Sequence, residues 1–277
     1  MRLVLTRDPG KFAARAQTFL SERIERNVLA TVLMNVLDGG HTAARPLFAY
    51  GVAEDGEVGY AALRTPPRFM LTSELGAPAA DRLVQDWLEQ DPELPGVGGP
   101  ADSARAIAAA WSRCTGAPTS VAMREAMHVL DRVHDPPRPA RGELRPARPA
   151  ERSLLVEWMG AFIAEAGLAG TREVEATVDY RLEHGRFLVW DDRGPVSLVG
   201  LAPAAGGVAR IGPVYTPPDR RRRGYAGTAV AEASRLAIAR GAHRCTLFTD
   251  VSNPTSNKIY AEVGYHRFGD WEEHEFR

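Results

Sequence analysis

Hydrophobic positions along the 277-residue chain follow two periods, and the periods alternate. Residues 2–6 alternate as a short strand. Asp8-Pro9 then opens a helix, with Asp8 as N-cap and Phe12, Ala16, Phe19 and Leu20 on one face. Val28, Val32, Met34 and Leu37 mark a second helix that ends at Gly39-Gly40. Residues 47–53 and 58–63 flank Glu54-Asp55-Gly56 and predict a β-hairpin. Residues 68–72 form a third strand. Residues 79–90 form a helix with Leu83, Val84, Trp87 and Leu88 on one face. A Gly/Pro loop at 94–100, a helix at 103–114 and a strand at 121–133 complete this half.

Five prolines between His134 and Ala150 then mark a connection, and a new strand begins at 143–145. The second half repeats the first in outline. Helices are expected at 149–166, with Leu154, Leu155, Trp158, Phe162 and Ile163 aligned, and at 171–184, capped by Thr171. A hairpin follows at 187–201, then a strand at 208–215 and a helix at 224–240 that stops at Gly241. A strand at 246–249, a helix at 253–264 and an extended end at 265–277 close the chain. The hairpins begin at residues 47 and 187, each after two helices, so two copies of one α/β unit are expected.

Composition narrows the function classes. A net charge of −1 argues against a protein that coats nucleic acid. Two cysteines, Cys114 and Cys245, are too few for a disulfide framework. The seven histidines show no metal-type spacing. No apolar run approaches the ~20 residues of a membrane span, and no signal peptide is visible. A cytoplasmic protein is the expectation.

Three stretches carry chemistry. After the strand at 208–215, two prolines lead into Arg220-Arg221-Arg222-Arg223-Gly224-Tyr225-Ala226-Gly227 and a long helix. Unpaired N–H groups and the helix dipole at such a junction suit a phosphate. Gly212-Pro213 inside the preceding strand marks a bulge that would splay it from residues 246–249. Asn253 and Tyr260 lie two turns apart on one helix face. Simpler readings stand beside these: arginine runs form solvated patches or touch nucleic acid, Asn253 before Pro254 is an ordinary N-cap, and Tyr260 suits a core. In the first half the matching turn is Ser73-Glu74-Leu75-Gly76-Ala77-Pro78, whose carboxylate would repel a phosphate.

Taken together, residues 143–277 resemble the GCN5-related N-acetyltransferase (GNAT) superfamily. Its signature is Gln/Arg-x-x-Gly-x-Gly/Ala after a strand, matched by Arg221, Gly224 and Ala226, and a later Asn-to-Tyr helix, matched by Asn253, Tyr260 and Gly264. The resemblance implies an α/β fold of two tandem GNAT-like units, each a mixed, mostly antiparallel sheet flanked by helices. Residues 1–135 would be a degenerate unit and 143–277 the catalytic N-acetyltransferase. It implies acetyl-CoA as co-substrate and no metal. Val214, Tyr215 and Thr216 would pair with the pantetheine arm through their backbone. Arg221, Arg222, Arg223, Gly224, Tyr225, Ala226 and Gly227 would form the cofactor turn, with backbone N–H groups from Arg222 onward wrapping the pyrophosphate. Asn253 would lie near the thiol end, and Tyr260 would act as general acid to the CoA thiolate.

One element of the family pattern is missing. Relatives place a Glu five residues before the Asn, or on the strand before the basic turn. Here the first position is Phe248, and residues 210–215 hold no carboxylate. A water chain, Asp250, Glu173, Glu175 and Glu183 are the candidate bases. The acceptor is an amine on a small molecule or peptide, with no nucleic-acid or membrane partner, in a monomer or homodimer. The alternative reading is an acetyl-CoA-binding sensor or structural module without turnover.

Overall fold

The computed structural model describes residues 1–40, 45–167 and 174–277. Thr171 and Glu173 therefore lie outside the described residues. The chain forms two compact units. The first comprises Met1–Met127, Asp250–Ser252 and Gly269–Arg277, and the second His128–Thr249 and Asn253–Phe268.

In the first unit, β1 (Arg2–Thr6), β2 (Leu47–Val52), β3 (Val58–Arg64) and β4 (Met70–Thr72) form an antiparallel meander. Helices α1 (Pro9–Ser21) and α2 (Asn27–Leu37) follow β1. The Asp8 carboxylate caps α1 by accepting from the Gly10 and Lys11 amides at 2.9 and 3.1 Å. Phe12 of α1 stacks on Phe48 of β2 at 4.9 Å, as its helical spacing predicts. Helices α3 (Ala77–Leu88) and α4 (Ala101–Thr115) bury Leu83, Trp87, Ile107 and Trp111 with Ala49, Ala62 and Met70 of the strands.

Residues 94–100, expected as a loop, contain a strand, β5 (Gly96–Pro100). It runs parallel to β4, with Leu71 opposite Gly98. The glycines read as a loop because none supplies an alternating side chain, yet here their bareness permits the strand. A Cβ at Gly99 would collide with the Thr72 methyl, so only glycine allows this approach.

β6 (Thr119–Leu130) starts in the first unit and ends in the second, and the chain then reaches β7 (Glu143–Pro146). Helices α5 (Arg152–Glu165) and α6 (Val174–Glu183) follow, then β8 (Phe187–Asp191), β9 (Pro195–Leu201) and β10 (Val208–Tyr215). After α7 (Tyr225–Ala239), β11 (Arg244–Asp250) runs parallel to β10, whereas β7 to β10 are antiparallel neighbours. Alternation sorts β8 between two cores. Leu188 and Trp190 join the α7 side with Ala229, Val230 and Ala233. Phe187 and Val189 join the α5–α6 side with Leu155, Trp158 and Val178. Cys245 is fully buried on β11.

α8 (Pro254–Val263) leads into β12 (His266–Phe276). From Gly269 onward β12 counts with the first unit, where Trp271–Glu275 pairs antiparallel with β5. Phe276 stacks on Trp111 at 4.6 Å and is 9% exposed. Replacing Phe276 with Ala is expected to destabilise the first unit by about 3–5 kcal/mol. Urea denaturation followed by tryptophan fluorescence measures it, and a loss under about 1 kcal/mol would remove Phe276 from that core.

Candidate functional site

The recorded β10–β11 pairs stop early. Val208, Ala209 and Arg210 stand opposite Arg244, Cys245 and Thr246. Beyond Arg210, β10 bulges between Ile211 and Val214, where Gly212 has φ +140°. β9 carries the strand onward, with Val199 opposite Val214 and Leu198 opposite Tyr215. Arg181 of α6 donates to the Gly212 carbonyl at 3.1 Å and holds the bulge. The expected bulge is therefore present at Gly212-Pro213, while Thr246, the first residue of the stretch expected to be splayed, is still paired with Arg210.

The basic turn follows directly. Its end at Tyr215 and Thr216 is fastened to neighbours: Ser197 Oγ donates to the Tyr215 carbonyl at 3.0 Å, and Arg221 Nε to the Thr216 carbonyl at 2.8 Å. Val214 is half-buried. Arg221 also forks onto the Glu165 carboxylate at 2.9 and 2.6 Å, so its guanidinium braces the turn. The Tyr215 hydroxyl donates to Glu165 at 3.3 Å, and burial followed by the carboxylate charge raises its pKa.

Arg220 pairs with Asp219 at 3.1 Å, and Arg223 reaches the Asp219 carbonyl at 3.4 Å. Arg222, exposed and left-handed at φ +63°, has no side-chain partner among the described residues. Gly224 caps α7 with φ +82° and no side-chain cap. A Cβ there would be strained and would stand 2.5 Å from the Arg138 carbonyl oxygen. The first α7 bond runs from the Thr228 N–H to the Gly224 carbonyl at 3.0 Å. The amides of Tyr225, Ala226 and Gly227 thus lie in the first turn, where no intrahelical acceptor reaches them. The Tyr225 side chain turns inward and its hydroxyl donates to Asp192 at 2.6 Å, so that residue offers the turn only its backbone.

α8 stands beside this turn, since Ile259 lies 3.6 Å from where a Gly227 Cβ would be. Asn253 is its N-cap, and its Oδ1 accepts from the Ser256 amide at 3.0 Å, leaving the amide N–H donors. Tyr260 is 9% exposed and meets Tyr265 edge-on at 6.2 Å. Its hydroxyl has no hydrogen-bond partner among the described residues. Burial pushes its pKa up to about 12, so the phenol stays protonated at any ordinary pH.

The acetyltransferase (GNAT) family profile matches residues 145–265. Residues 145–265 belong to the GNAT family. Solved GNAT structures match the fold of the whole chain. An acetyltransferase from Colwellia psychrerythraea has a TM-score of 0.60 at 11% identity, covering 100% of this chain and 99% of its own. A GCN5-related N-acetyltransferase from Sphaerobacter thermophilus has 0.60 at 18% identity, covering 99% and 95%. A tandem GNAT protein from the clavulanic acid biosynthesis pathway has 0.62 at 11% identity, covering 99% and 98%. No curated protein matches the sequence. The chain thus has a tandem GNAT fold with a GNAT acetyltransferase domain in its second half, and the family generally uses acetyl-CoA.

Three of the candidate bases, Asp250, Glu175 and Glu183, lie among the described residues. Asp250 accepts from the Ser252 amide and hydroxyl at 2.7 and 2.8 Å. Glu175 pairs with Arg152 at 3.1 Å, and Glu183 is exposed at the end of α6. Among the described residues no cluster of His, Cys, Asp or Glu has a metal-binding arrangement, and no helix is long and apolar enough to cross a membrane. Glu165, Arg181 and Ser197 belong to the site but lack a sequence signal. Each acts on backbone or on Arg221 from a separate element, which no local pattern reveals.

In the first unit the matching strands are β4 and β5. β4 and β5 stay paired to Leu71 and Gly98, and Thr72 packs against Gly99. Ser103 Oγ takes the Leu75 amide at 3.0 Å, and Glu74 pairs with Arg26 at 3.1 Å. For the GNAT turn of the second unit, Gly224→Val is expected to abolish the thermal shift caused by CoA. Arg222→Ala should weaken CoA by about five-fold or less, the scale of one exposed charge at a helix terminus. Equal losses from both changes would contradict a turn that works through its backbone.

Proposed function

We propose that the half at 143–277 transfers an acetyl group from acetyl-CoA to an amine, and that 1–135 is a degenerate copy without cofactor binding. The observation that carries this reading is the β10–β11 opening that feeds into the uncapped start of α7, with Tyr260 on the adjacent helix. The open strand offers Val214, Tyr215 and Thr216 to the pantetheine arm. The turn from Arg221 to Gly227 offers amides to the diphosphate, and Asn253 offers its side-chain amide near the thiol end.

In this scheme a neutral amine attacks the thioester carbonyl carbon. Backbone N–H groups at the bulge stabilise the oxyanion, and its collapse breaks the C–S bond. The amine proton leaves to solvent, because no carboxylate is assigned as base. Tyr260 donates a hydrogen bond to the departing sulfur, which leaves as the thiolate. An ordinary thiol has a pKa of about 8.5, so complete transfer from a phenol at about 12 is uphill by roughly 3.5 units, or ~5 kcal/mol. Tyr260 therefore acts chiefly by a hydrogen bond that strengthens as charge builds on sulfur.

The test is a thermal-shift measurement with acetyl-CoA, followed by an amine panel read out as released CoA. Binding at a hundredfold excess over Kd adds about 2.7 kcal/mol of stability, which a melting curve resolves. No shift with CoA or any acyl-CoA would end the cofactor assignment. CoA binding without turnover on any amine would favour the sensor reading. Tyr260→Phe is expected to lower kcat about a hundredfold with little change in the KM for acetyl-CoA. Because the phenol stays protonated, the pH–rate profile should show no Tyr260 limb below about pH 10. An unaltered kcat would remove Tyr260 from the chemistry.

A further inference from the structure

The proline-rich stretch at 134–150 reads as a connection, yet the segment between β6 and β7, residues 131–142, is held by the second unit at almost every step. Asp131 pairs with Arg244 at 2.8 Å. The His134 N–H donates to the Val263 carbonyl at 2.8 Å, fixing the segment to the end of α8. Asp135 pairs with Arg235 of α7. Pro136 lies 3.9 Å from where a Gly227 Cβ would be, and the Arg138 carbonyl abuts Gly224. The Ala140 N–H donates to Thr228 Oγ1 at 2.9 Å, and that hydroxyl donates to the Gly224 carbonyl at 3.0 Å. Trp190 Nε1 then donates to the Arg141 carbonyl at 2.8 Å. The segment is a strap laid across the start of α7.

Two features tie the strap to the phosphate turn. Thr228 is buried, and its hydroxyl joins strap and turn in one chain of hydrogen bonds that ends on Gly224. Arg138 touches Gly224 through its backbone, is exposed, and has no side-chain partner among the described residues. Its backbone therefore starts within one side-chain length of Gly224 at the start of α7, a span that an extended arginine can cover. Prolines at 136, 137 and 139 reduce the entropy lost in ordering the strap.

We propose that the strap is a second wall of the phosphate site, with Thr228 as a positioning residue and Arg138 as an added cation for the ligand's phosphates. This rests on the CoA reading above. Binding of CoA to the full chain is measured by calorimetry across a salt series. Arg138→Gln is expected to weaken CoA about five-fold and to flatten the salt dependence, with an unchanged melting temperature of the free protein. Thr228→Val is expected to weaken CoA about tenfold, and Thr228→Ser, which keeps the hydroxyl, to restore it. CoA affinity within twofold of wild type for both Arg138→Gln and Thr228→Val would overturn the strap's role while leaving the CoA reading intact. A wild-type protein that binds no CoA would instead overturn the underlying reading.

Discussion

The second unit depends on keeping one strand half-paired. Past Arg210, β10 gives up its partner on β11, and backbone polar groups left without partners are costly unless something else engages them. The fold answers from three sides. β9 pairs with β10 on both sides of the bulge, Arg181 takes the Gly212 carbonyl, and Ser197 and Arg221 take the carbonyls at Tyr215 and Thr216. With that strand end fixed, the direction of the turn and the start of α7 are fixed too. The amides of α7 are then displayed from a rigid support.

The first unit shows the same strand order with different packing at the matching pair of strands. Its β4 and β5 approach closely through small residues, Gly99 on one strand and the Thr72 methyl on the other. The turn that follows has its amide taken by Ser103 and its carboxylate by Arg26. The topology itself says nothing about activity.

Much of this was legible in the sequence because it is local. Helical spacing found Phe12, Trp87 and Trp158. Turn chemistry found Gly224, and the capping pattern found Asp8 and Asn253. What escaped is non-local or rests on small residues. β5 is a run of glycines whose strand character exists only because Thr72 and the chain's end lie against it. Glu165 reaches Arg221 across 56 positions, and the Arg181 bond to Gly212 spans 31. The connection at 131–142 has the composition of a tether, but carbonyls and amides at particular places on α7 and α8 hold it. Composition reports how a segment behaves alone and not what lies beneath it.

The course of the last strand has a consequence for dividing the chain. Residues from Gly269 onward complete the first unit, although they come last in the sequence. A cut through the proline-rich stretch would not yield two self-sufficient pieces. The leading fragment would keep β5 but lose the strand that pairs with it, leaving a glycine-lined edge open to other chains. The trailing fragment would carry Trp271 and Phe276 with no core to receive them. The two halves are in this sense indivisible, because the last strand of the sequence completes the sheet of the first unit.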